Sequence, residues 1–152
     1  MVASDQVPTT QDENDTAVRP YFADIREEWE WVKEGVDEIL GEQPELTFTA
    51  EHVYEACTEG SAHLWVAPEG FVVSMGMTDP YTGKRIFLIW LAWSKKRGDN
   101  SLSKYLDFFI EVARDNGYAG LETRSPIKRL EPHLTSEGWR LNTIVYTREL
   151  YG

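Results

Sequence analysis

A chain of 152 residues, 41% hydrophobic and 12% aromatic, has the material for one domain that buries about 70% of its unfolded surface. No apolar run approaches the roughly 18 residues of a membrane span, no hydrophobic N-terminal segment marks a secretory signal, and a lone Cys57 excludes an internal disulfide. The net charge of −11 is lopsided: residues 1–60 hold 16 of the 26 acids and only 3 of the 15 bases. That distribution opposes nonspecific nucleic-acid binding and suits an acidic surface that meets a basic partner.

Residues 1–20 are poor in large apolar types and read as a flexible acidic arm, with the folded domain at 21–152. Tyr21 to Leu40 predicts a helix with Phe22, Ile25, Trp29, Val32, Val36 and Ile39 on one stripe and acids elsewhere. Trp31 lies off that stripe, either as a partner contact or as a ring across the helix flank. Gly41 is expected to stop the helix. Thr49 can cap a short helix through Thr58, ended by Gly60. Ser61–Ala67 and Phe71–Thr78 read as a hairpin joined at Pro68-Glu-Gly70. A turn at Asp79–Gly83 follows.

Ile86–Trp93 is eight apolar residues in a row, with no polar face, which predicts a central strand covered on both sides. Ser94–Ser101 is a basic loop. Leu102, Tyr105, Leu106, Phe109, Ile110 and Ala113 then mark an amphipathic helix to Asn116, with Gly117 after it. Tyr118–Arg124 reads as a strand. A helix between two strands implies a right-handed crossover and a parallel pair. Ligands of such units sit where the first strand ends and the helix begins, so a small-molecule site is sought from Trp93 to Leu102. Ser125-Pro126 opens a short or broken helix ended by Gly138. Trp139–Leu150 alternates as a last strand or hairpin. The three histidines are scattered, so no metal site is expected. The fold class is α+β: one domain, a mixed, mostly antiparallel sheet with helices on both faces and one parallel crossover.

The Ile86–Trp93 strand, the basic loop, the Leu102–Asn116 helix and the Gly138-Trp139 step together resemble the GNAT family of N-acetyltransferases. The Leu64-Trp65 pair before the hairpin is similar to small GNAT-like proteins of tailed bacteriophages. The resemblance implies a loop of the form Arg/Gln-x-x-Gly-x-Gly/Ala whose backbone N–H groups hold the pyrophosphate of acetyl-CoA. Placed on Arg97, it puts Asn100 and Leu102 at the two glycine positions. It implies Trp93, Arg97, Gly98, Asn100 and Ser101 as cofactor-binding residues, with Lys95 and Lys96 adding charge. The position of the family's tyrosine acid is Leu134, which has no proton to give. His133 is next to it and Tyr146 lies on the expected last strand, and Glu122 is a candidate base or an exposed edge residue. No catalytic residue is assigned.

Three functions follow as expectations. The first is a phage-type protein with weakened or lost catalysis, needing no cofactor. It would bind phage structural proteins through its arm and acidic first helix, in a virion or the cytoplasm of an infected bacterium. The second is an acetyl-CoA-dependent N-acetyltransferase acting on a small or protein amine. The third is an acidic imitator of nucleic acid.

Overall fold

The computed structural model describes residues 19–96, 100–125 and 127–151. The expected arm lies outside these residues as far as 18. Five strands form one sheet in sequence order: β1 (Tyr21–Ala23), β2 (Ala62–Ala67), β3 (Gly70–Thr78), β4 (Arg85–Ser94) and β5 (Gly120–Thr123). The first four run antiparallel, and β5 runs parallel to β4, Ile86 to Ile89 pairing with Gly120 to Thr123.

Helices α1 (Ile25–Glu42) and α2 (Ala50–Glu59) cover one face. Val32, Val36, Ile39 and Val53 meet Leu64, Val66, Phe71, Val73 and Leu91 there, in one buried cluster. Helices α3 (Ser101–Lys104) and α4 (Leu106–Asp115) cover the other. Leu102, Tyr105, Phe109 and Ala113 meet Trp65, Val72, Phe87 and Ile89 in a second cluster. The unbroken apolar run of β4 has this cause: Phe87 and Ile89 serve one core, Leu91 the other. Each fully buried side chain of this size contributes roughly 1.5–3 kcal/mol. The approach of α1 to the sheet depends on Gly35, where an added Cβ would stand 2.6 Å from the Phe71 ring.

The first helix begins later than its stripe suggested. Tyr21–Ala23 is a strand paired with Val66–Leu64, and Phe22 packs against the His63 and Trp65 rings. Asp24 accepts from the backbone of Arg26 and caps α1, so the chain before it is extended. Gly41 does not stop α1, which runs to Glu42 with Gln43 as its C-cap. Helix α2 is closed by a capping box, Thr49 with His52, and by left-handed Gly60. Trp31 is a flank ring: it packs edge-on to Phe71 and donates to Glu28 at 2.6 Å.

The crossover helix is broken at Tyr105 into α3 and α4. After β5 come a 3-10 turn (Lys128–Leu130) and α5 (Glu131–Ser136), the expected broken helix. The expected last strand does not form. Residues 139–151 contain no strand, and Leu141, Ile144, Val145, Tyr146 and Leu150 are strongly exposed. A strand needs a ladder partner, and this segment has apolar side chains on both parities with neither face covered.

Candidate functional site

β4 outruns its parallel neighbour. Pairing with β5 ends at Ile89, while β4 continues to Ser94. On the other side the β3 register steps from Val73–Leu91 to Ser74–Ile89, leaving Trp90 as an extra residue. A bulge bends the strand that carries it and sharpens its twist. It stands where β5 pairing ends, and beyond Ile89 this edge of β4 has no strand partner among the described residues, a notch in the ladder.

The end of β4 is aromatic. Trp93 stacks on Phe71 at 5.5 Å, Trp31 closes the group, and the Lys95 ammonium lies 5.1 Å over the Trp31 ring. The Lys95 N–H donates to the Glu69 carbonyl at 2.7 Å, which ties the loop after β4 to the β2–β3 turn.

Helix α3 is tied on both sides. The Lys104 ammonium and the Tyr105 hydroxyl, the latter at 2.6 Å, both donate to the Glu69 carboxylate. These bonds, Lys104 first, hold the Glu69 carboxyl below its ordinary range, while burial, then the Glu69 bond, raises the Tyr105 phenol. On the other side the Ser103 hydroxyl donates to Glu137 Oε1 at 3.1 Å and lies 2.9 Å from His133 Nε2. This hydroxyl bridges α3 and α5. At the start of α3, Asn100 Oδ1 accepts the Ser103 N–H at 3.0 Å. The side chain thus takes one of the first-turn donors that an anion would use.

Of the expected cofactor residues, Trp93 is half-buried in the aromatic group and Asn100 is exposed at the α3 cap; Ser101 begins α3. Arg97 and Gly98 lie outside the described residues. Leu102 is buried among Trp65, Tyr105 and Phe109, so its bulk fills the space under the helix. Leu134 is half-buried, and His133 beside it is the residue that reaches α3. Tyr146 is 88% exposed. Glu122 is held by Arg124 at 3.2 Å. Among the described residues, no cluster of three acidic, His or Cys side chains could hold a metal, and no helix is long and apolar enough to cross a membrane. Sequence reading missed Glu69, Ser103, Lys104 and Glu137, whose partners lie 30 or more positions away and leave no local spacing to find.

Solved structures share this architecture. A probable acetyltransferase superposes with a TM-score of 0.66 at 12% identity, covering 88% of this chain and 99% of its own. A putative acetyl transferase from Pyrococcus furiosus gives 0.66 at 18% identity, covering 87% and 100%. The chain has a GNAT fold. A ribosomal-protein-alanine N-acetyltransferase from Brucella melitensis gives 0.64 at 13% identity, covering 88% and 99%. No family model and no curated protein matches the sequence. In this GNAT-fold chain the notch beside β4 and the first turn of α3 are the two halves of the candidate site.

Proposed function

We propose that the protein uses the GNAT scaffold as a binding and structural component, with acetyl transfer weakened or lost, and that its setting is a tailed-phage particle or phage–host complex. The observation that carries this is the Asn100 side chain on the Ser103 N–H. An incoming pyrophosphate must displace an internal acceptor. It also meets a turn whose lysine is paired with Glu69 and whose serine is engaged by His133 and Glu137. These engaged groups support a reading in which acetyl-CoA must rearrange the turn in order to bind. The phage setting rests on the resemblance at Leu64-Trp65. The exposed acids of α1, Glu27, Glu30, Glu34, Asp37 and Glu38, give a face for a basic protein surface.

An acetyl-CoA-dependent N-acetyltransferase on a small or protein amine is the second reading. The notch in the ladder beside β4, next to the bulge at Trp90, favours it. Titration calorimetry with millimolar acetyl-CoA separates the two, with Asn100→Gly beside wild type. The wild type is expected to give no heat and no thermal protection, whereas ligand at a hundredfold excess over Kd would add about 2.7 kcal/mol. The glycine variant loses only a few tenths of a kcal/mol as a cap and is expected to bind more tightly than wild type. Micromolar binding with turnover by the wild type would overturn the proposal. Absence of the chain from purified particles would remove its phage-structural part.

A further inference from the structure

Three donor atoms from two helices converge where α3 meets α5. Ser103 Oγ stands 2.9 Å from His133 Nε2 and 3.1 Å from Glu137 Oε1, and those two are 3.6 Å apart. His133 and Glu137 are four positions apart, one turn of α5, and so share a face. Donors about 2.1 Å from a first-row divalent metal stand roughly 3.0–3.4 Å from one another in an octahedral or tetrahedral shell. The three atoms are thus spaced like one face of such a shell. An ion about 2.1 Å from each lies about 1 Å out of their plane. Both α5 side chains are partly exposed, 47% and 22%, which lets water complete the shell.

The charge at this point also asks for a cation. Glu137 is mostly covered, and among the described residues no Lys or Arg pairs with it. The Lys104 ammonium, one position from Ser103, is taken by Glu69 on the other side of α3. Glu137 also caps the C-terminal end of α5, the end of a helix that favours positive charge. A partly covered carboxylate is costly until a cation meets it. The donor types choose among metals. Magnesium and calcium take oxygen ligands, whereas an imidazole beside a carboxylate suits zinc. A count of acidic, His and Cys side chains passes over the group because its third donor is a hydroxyl, brought from 30 positions away.

We propose that Ser103, His133 and Glu137 bind one zinc ion, which clips α3 to α5. The inference does not depend on whether acetyl-CoA binds. The test is titration calorimetry of the full chain with zinc chloride, after treatment with a chelator, beside His133→Ala, Glu137→Gln and His52→Gln. The wild type is expected to bind one ion per chain. His133→Ala and Glu137→Gln should each weaken binding at least about tenfold, the least that loss of even a supporting group costs a metal site. Glu137→Gln keeps an acceptor for the Ser103 hydroxyl and removes only the charge, so its weaker binding is not a failure to fold. His52→Gln, which keeps a capping-box residue at that position, should bind as the wild type does. Zinc should also slow amide exchange in residues 101–105 and 131–137 of the wild type and not of His133→Ala. No heat from the wild type at millimolar zinc would overturn the proposal. So would equal binding by His133→Ala and Glu137→Gln, the mark of an adventitious ion only, or exchange at α3 that zinc leaves unchanged.

Discussion

The indole N–H of Trp65 donates to the Ser74 hydroxyl at 2.9 Å, and both residues are buried. Around this bond the Trp65 ring meets Phe108 and Phe109 edge-on. Trp65→Phe keeps most of the ring contact and leaves a buried hydroxyl without its donor, a loss of about 1–3 kcal/mol. Urea unfolding should show a lower midpoint at unchanged slope, and Ser74→Ala added to it should recover part of the loss. His63, on the same strand, carries a pH dependence. Burial lowers its folded-state pKa, so below the ordinary histidine value of about 6.5 the unfolded chain binds more protons. Its contribution is present above that pH and falls as the solution is acidified. Between pH 7 and 5 the wild type should therefore lose more stability than His63→Gln, as read from parallel thermal melts.

At the scale of elements, α3 is a single turn that its own propensity does not sustain. It is held by Glu69 from the β2–β3 turn and by His133 and Glu137 from α5. Glu69→Gln keeps the size and removes the charge that Lys104 and Tyr105 share, at a cost of about 1 kcal/mol. The amides of residues 101–105 should exchange about fivefold faster. Because the Glu69 carboxyl is held below its ordinary range, the stability difference from wild type is full at neutral pH and fades only as pH falls below about 4. The same element shows what the sequence could and could not tell. The long apolar strand, the hairpin and the crossover were legible because each has a local period. Asn100 was legible as a departure at a glycine position, yet its bond to the Ser103 backbone was not. The break at Tyr105 left no local sign, and the Glu69 that its hydroxyl bonds lies 36 positions away. β1 was hidden for the same reason: three residues become a strand only through Leu64–Val66, while Phe22 happens to fall on the helical stripe. The tail misled in the opposite direction, with a strand's alternation and no ladder among the described residues.

The whole molecule has two cores divided by one sheet, and β3 and β4 contribute side chains to both. Neither core can be lost while the other keeps its floor, so unfolding is expected to be one cooperative step. Val36, fully buried under α1, and Phe109, fully buried under α4, sample the two sides. Phe109→Ala should cost about 3–5 kcal/mol, and Val36→Ala less, in proportion to the smaller cavity. Because the residues share no cluster, their effects should add to within about 0.5 kcal/mol. Each should move the same transition, seen alike in far-UV dichroism and tryptophan fluorescence. A split into two transitions in either variant would mean that the α1–α2 layer separates from the sheet on its own. The notch beside β4 would then lose Trp31 while Trp93 kept its place, since α1 supplies Trp31 and the sheet supplies Phe71 and Trp93. A single transition would instead tie the geometry of the candidate site to the stability of both cores at once.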